Sequence, residues 1–136
     1  MVRITASYQG DLHCLLTHEP SGKTLETDAP KDNQGKGESF SPTDLAASSL
    51  LTCSITTMAI YAKRHNKELP PMSGEVIKEM SAEPPRRISR LTIILNMPKG
   101  FTVEERASYE RVAQSCPVHK SLHPDTQVVT RFVYAD

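Results

Sequence analysis

At 136 residues, with 16 Lys plus Arg against 16 Asp plus Glu, the chain has the size of one domain, 1–136, and a net charge of 0. A chain of this length buries roughly two-thirds of its unfolded surface, enough for a true core, and it lacks the basic excess of a nucleic-acid binder. MVRITASYQG has no apolar signal-peptide core, no membrane span is expected, and the odd set of Cys14, Cys53 and Cys116 argues against a disulfide framework; these features predict a cytoplasmic protein with free thiols.

Val2, Ile4, Ala6 and Tyr8 alternate with polar residues, the period of a half-buried strand. Gly10-Asp11 is a two-residue turn signal, after which Leu12, Cys14 and Leu16 alternate on a second strand. Pro20-Ser21-Gly22 marks another turn, and Lys23 to Thr27 a third strand, so an N-terminal meander is expected. Asp28 to Phe40 is a long loop of Gly, Pro, Asn and Ser among charges, and loops of that length are often functional. It leads into the most distinctive stretch of the chain, SPTDLAASSLLTCSITTMAIYAKRHN, Ser41 to Asn66. Ser41 is a fitting N-cap, Pro42 suits the first helical position, and Asp44 can close a capping box. Apolar residues surround this helix on all sides and no formal charge falls between Leu45 and Ala62, which predicts a buried helix.

Pro70-Pro71 ends helical structure. Gly74 to Ala82 and Arg87 to Met97 read as paired strands, with Leu91, Ile93, Leu95 and Met97 on one face. Thr102 and Glu105 form a capping box for a second helix, whose Val103, Ala107, Val112 and Ala113 are expected in the core and whose Glu104, Arg106, Glu110 and Arg111 are expected in water. A break follows at Cys116-Pro117, then a short turn of helix over Val118 to Leu122, then a last strand, Gln127 to Tyr134. Segregated strands and helices of this order argue for the α+β class.

The thiols carry two readings each. Cys53, mid-helix, is either a small core hydrophobe or a functional thiol with Ser49, Thr56 and Thr57 on neighbouring positions of the helix surface. Cys116 is either a plain helix-break residue or the N-cap of a short helix, where backbone N–H groups, with His119 and Lys120 nearby, would lower its pKa. Cys14 is expected to pack in the core or at a strand edge. Cys116-x-x-His119 is only half a zinc pattern, so neither metal nor cofactor is expected. His13, His18, His65 and His123 adjoin turns or helix ends and are expected in solvent.

SPTDLAASSLLTC, followed 63 residues on by CPVHKSL, resembles the OsmC/Ohr superfamily, and within it the general OsmC-like branch. The shared pattern is a proline opening a long central helix, a cysteine eleven residues after it, and a second cysteine in a C-P-V-x-K/R-x-L motif. The resemblance implies an intertwined homodimer with the long helices at its middle and active sites at the interface. It implies an antioxidant, stress-response peroxidase that favours organic hydroperoxides, with Cys53 as peroxidatic thiolate, Cys116 as resolving thiol, and a dithiol or lipoylated protein as reductant. Net charge and the lack of a long apolar run, not the resemblance, predict no nucleic-acid or membrane partner. Two departures bear on rate. Where strongly peroxidatic branches carry glutamate after the helix-opening proline, this chain has Thr43, then Asp44; their meander arginine has no counterpart in SYQGDLHC. Lowering a thiol's pKa gains at most about 30-fold in thiolate at pH 7, whereas a charged donor on the leaving oxygen contributes about 10²–10³-fold. Low or specialised activity is therefore expected, with Arg3, Lys36 or Lys120 as candidate substitutes. The alternative is a non-enzymatic dimer holding a small apolar or thiol ligand between its long helices.

Overall fold

Residues 1–135 of the computed structural model run β1 (Ile4–Gly10), β2 (His13–His18), β3 (Lys23–Asp28), α1 (Pro42–Arg64), β4 (Ser73–Met80), β5 (Ile88–Met97), α2 (Val103–Ala113), α3 (Pro117–Ser121) and β6 (Gln127–Tyr134). The α+β class holds, and the elements fall where the hydrophobic periods and caps put them. The chain forms two compact units, Met1–Ala46 and a second from Ala47 onward.

The first unit is an antiparallel meander in the order β1-β2-β3. Its first turn lies one residue later than the Gly-Asp signal suggests. Gly10, at φ 87°, occupies a bulge where the β1–β2 register shifts, and Asp11 (φ 52°) and Leu12 (φ 61°) make the turn. Two consecutive positive φ values suit the right-handed twist of a tight hairpin, so Leu12 is a turn residue and not the start of β2. β1 alternates as expected but is exposed on both faces of this chain: Ile4 and Tyr8 keep 59 % and 66 % of their surface. The following loop is tied to itself. The Asp28 amide donates to the Phe40 carbonyl at 3.0 Å, and the Gly37 amide donates to the Ala29 carbonyl at 3.2 Å. The buried Asp28 carboxylate accepts from the Glu38 amide at 2.9 Å. Gly35 is required here, because a Cβ would stand 1.7 Å from the Ala29 oxygen. His13, expected in solvent, is half-buried, with Nδ1 3.5 Å from Asp28 and Nε2 3.5 Å from Glu26. α1 opens with a reciprocal cap: the Asp44 amide donates to Ser41 Oγ (3.0 Å) and the Ser41 amide to Asp44 Oδ2 (2.9 Å).

In the second unit β5 is the central strand, antiparallel to β4 and parallel to β6. Leu91, Ile93, Leu95 and Met97 form its buried face, as their alternation predicts. They share a core cluster with Ala47, Leu50, Met58 and Ala62 of α1, Tyr109 and Ala113 of α2, and Cys116. Within the single chain α1 packs one face into this core. Its buried residues are Ala47, Leu50, Ser54, Met58 and Ala62, a single stripe at three- and four-residue spacing, while Thr52, Thr56 and Ile60 are exposed. By length and composition alone α1 is apolar enough to cross a membrane; the stripe packed in the core accounts for it as the main helix of this unit. α2 starts with the expected Thr102–Glu105 capping box. Its inward face differs from the expected one: Val103 is 78 % exposed and Ala107 is exposed, whereas Tyr109 and Ala113 are buried. Arg106 and Glu110 are half-buried rather than in water, because both engage Tyr134. The Arg106 guanidinium lies 4.1 Å over its ring and Glu110 Oε1 accepts from its hydroxyl at 2.8 Å.

Candidate active site

Helical geometry in α1 and the helix break before Pro117 bring two cysteines to one core cluster. Cys53 sits mid-α1, half-buried, beside the packed stripe and not within it. Cys116 is completely buried at the start of α3. Pro117 at the first helical position fixes the backbone and leaves Cys116 extended, at φ −65° and ψ 150°, as the N-cap. Its Sγ accepts from the His119 amide at 3.3 Å. From α1, Ser54 Oγ donates to the same sulfur at 3.9 Å. Cys53, next to Ser54 on α1, packs against the core cluster that contains Cys116, and its Sγ lies 4.0 Å from Thr57 Oγ1, one turn along α1. All three cysteines are unbridged.

The electrostatics correct one expectation. A helix-capping thiol beside His119 and Lys120 was expected to be acidified. Instead burial pushes the Cys116 thiol above the usual thiol value; the His119 amide works against this, the Cys53 thiol reinforces it, and Ser54 offsets a part. A five-residue helix offers one amide to the sulfur, and that is too little against complete loss of water. His119 acts here through its backbone, not its imidazole. Lys120 donates its backbone amide to the Cys116 carbonyl at 3.2 Å, and its side chain is exposed.

The other residues singled out lie elsewhere in the local structure. Thr56 Oγ1 bonds back to the Thr52 carbonyl, and Ser49 is half-buried one turn before Cys53, its carbonyl accepting from Thr52 Oγ1 at 3.3 Å. Thr43 Oγ1 is 3.1 Å from Ser41 Oγ, and Asp44 is the cap partner of Ser41, so both belong to the helix start. Arg3 pairs with Glu19 at 3.7 Å on the surface. Lys36 lines a cleft of about 250 Å³ in the first unit with His13, Asp28 and Glu38. Cys14 is half-buried on the middle strand of the meander, between Tyr8 and Thr27. Among the described residues no group of three or more His, Cys, Asp or Glu is arranged to hold a metal ion. Ser54 is the site residue that pattern reading missed. A signal was present: it is the one hydroxyl at the i, i+4 positions between Leu50 and Met58, inside an otherwise apolar stripe, and a buried hydroxyl needs a partner.

A raised pKa at Cys116 has a kinetic and a thermodynamic consequence. The attacking species is the thiolate, so any reaction in which Cys116 is the nucleophile should accelerate as pH rises from 7 to 9, about tenfold per unit while the thiol form predominates. The folded state favours the protonated thiol. Stability from this group is therefore fully present below the unfolded thiol's pKa, about 8.5, and is lost as pH rises through the higher folded value. Single-turnover thiol titration and thermal melts across that range check both signs.

The model of the OsmC-like protein family matches residues 35–131, which is more than half of the chain. The chain belongs to the OsmC-like family. A solved structure from Psychrobacter arcticus 273-4, described as an osmotic stress induced and detoxification response protein, is 38 % identical, with a TM-score of 0.91 over 98 % of this chain and 96 % of that one. The OsmC-like protein of Mycoplasma pneumoniae superposes with a TM-score of 0.82 at 16 % identity, covering 100 % and 98 % of the two chains. The organic hydroperoxide resistance protein OsmC of Legionella pneumophila gives 0.75 at 17 % identity, covering 97 % and 96 %. No curated protein matches. The two more distant structures speak for the fold of this OsmC-like chain alone, and the match to the first covers nearly its whole length.

Proposed function

We propose that this OsmC-like protein is a cysteine-based peroxidase acting on organic hydroperoxides, with Cys53 as the attacking thiol and Cys116 as the resolving one. The observation that carries the reading is that Cys53 packs against the core cluster containing Cys116, 63 residues on in sequence, with its neighbour Ser54 reaching the Cys116 sulfur and both thiols unbridged. Cys53, the less buried of the pair, is the one a substrate can reach. Its thiolate attacks the terminal peroxide oxygen; the O–O bond breaks, the alcohol departs after taking up a proton, and Cys53 becomes a sulfenic acid. Cys116 then loses its proton and attacks the oxidised sulfur; an S–S bond forms and water leaves. A dithiol, free or on a lipoylated protein, returns two electrons and two protons by exchange. Arg3 is already paired with Glu19 and Asp44 is engaged in the helix cap, and modest turnover is part of the reading.

The reading includes a homodimer. α1 exposes Ile60, and the meander exposes Ile4, Tyr8 and Leu25, apolar side chains that a second copy would cover. Mass spectrometry after one equivalent of cumene hydroperoxide tests the chemistry: a Cys53–Cys116 disulfide is expected. Both thiols unchanged, with a small apolar molecule retained, would replace the enzyme by a ligand-binding dimer.

A further inference from the structure

The buried stripe of α1 holds one hydroxyl, and its hydrogen bond leaves the helix. A serine or threonine inside a helix commonly donates to the carbonyl one turn back. Thr52 Oγ1 does so toward Ser48 at 3.0 Å, and Thr56 Oγ1 toward Thr52. Ser54, 3 % exposed, instead donates from Oγ to Cys116 Sγ at 3.9 Å, across 62 residues of sequence. The His119 amide reaches the same sulfur at 3.3 Å. One donor thus comes from α1 and the other from α3, and both are aimed at a sulfur with no exposed surface.

A neutral thiol gains little from such donors, because its sulfur is a weak acceptor. A thiolate gains more. Hydrogen bonds to an ionised acceptor are roughly twice as strong as neutral ones, and burial removes the water that would otherwise solvate the charge. Against the upward push of burial on the Cys116 thiol, the His119 amide and Ser54 both favour the anion.

We propose that Ser54 is a positioning residue for disulfide exchange at Cys116: its hydroxyl holds the sulfur and stabilises the negative charge that forms there. The inference rests on Cys116 being the resolving thiol. In resolution Cys116 loses its proton and its electron pair attacks the Cys53 sulfenic sulfur. The S–O bond breaks, and hydroxide leaves and is protonated to water. In reduction a thiolate of the external dithiol attacks the Cys53 sulfur, the S–S bond breaks, and the electron pair returns to Cys116. Cys116 carries charge in both steps, and Ser54 with the His119 amide stands in for solvent.

Ser54→Ala tests the role. Reduced protein is mixed with one equivalent of cumene hydroperoxide between about pH 6 and 9, quenched in acid, and its sulfenic acid and disulfide are quantified by mass spectrometry. The variant should form the Cys53 sulfenic acid within about twofold of the wild-type rate. It should then close the disulfide about tenfold more slowly near pH 7, with the rise in rate displaced upward by about one pH unit. A merely structural serine would leave that pH profile in place. Ser54→Thr and Ser54→Val share one shape and differ in the hydroxyl, so comparing them removes any packing effect. The Thr variant should resolve about tenfold faster than the Val variant. Equal resolution rates and superimposable pH profiles in wild type and Ser54→Ala, or in the Thr and Val variants, overturn this inference and leave the peroxidase reading standing. Absence of a Cys53–Cys116 disulfide in the wild type overturns the peroxidase reading, and this role falls with it.

Discussion

Cys53→Ser is expected to reduce cumene hydroperoxide consumption to the rate in buffer, a loss on the order of 10³-fold or more. Serine keeps the size of the side chain and its hydrogen bonds but removes the ionisable sulfur, and an unassisted hydroxyl is a weak nucleophile. Cys116→Ser should behave differently. The first step survives, one equivalent of peroxide is consumed, and the reaction stops with a sulfenic acid on Cys53 that dimedone can trap. Serine at position 116 can still accept the His119 amide, so the cap of α3 is retained and the arrest is not a folding defect. The two variants thus separate attack from resolution. Turnover persisting in Cys53→Ser would reject the assignment outright. Turnover persisting in Cys116→Ser would mean that an external thiol, not Cys116, resolves the sulfenic acid.

Leu50→Ala should cost about 3 kcal/mol, within the 2–5 kcal/mol typical of a Leu truncated in a packed core. Leu50 has no exposed surface and belongs to the α1 stripe that shares a cluster with the β5 face and Cys116. Removing its three terminal carbons leaves a void beside Ser54, the residue that reaches Cys116. For a domain of this size the loss lowers the melting temperature by about 10 °C at fixed protein concentration. Val103→Ala, by contrast, truncates a side chain that is 78 % exposed at the start of α2, and should stay within about 0.5 kcal/mol of the wild type. Urea melts of both variants against wild type provide the measurement. Equal destabilisation by the two changes would mean that the core is not centred on the Leu50 stripe.

The elements were legible because their signals are local. The Ser41–Asp44 and Thr102–Glu105 caps, the alternation of β5 and the proline after Cys116 each act over a few residues, and each appears where it was read. The errors also share a cause. Leu12 was assigned to β2 because a Gly-Asp pair looks like the turn itself, and only the bulge at Gly10 shows that the turn lies one residue on. Val103 and Ala107 were expected inside because they are apolar, but the face of α2 is set by Tyr109, which fills the space between Tyr61 and Phe101.

What the sequence determined alone is the set of strands and helices and the family pattern. Periodicity, capping and motif spacing are properties of neighbouring residues, and they survive without knowledge of the fold. What only the tertiary structure decided is how Cys116 sits: without solvent, hydrogen-bonded by Ser54, its pKa raised where its capping position argued for the opposite. Desolvation depends on every atom packed around a group. That sum over distant parts of the chain cannot be read from the residues on either side of Cys116.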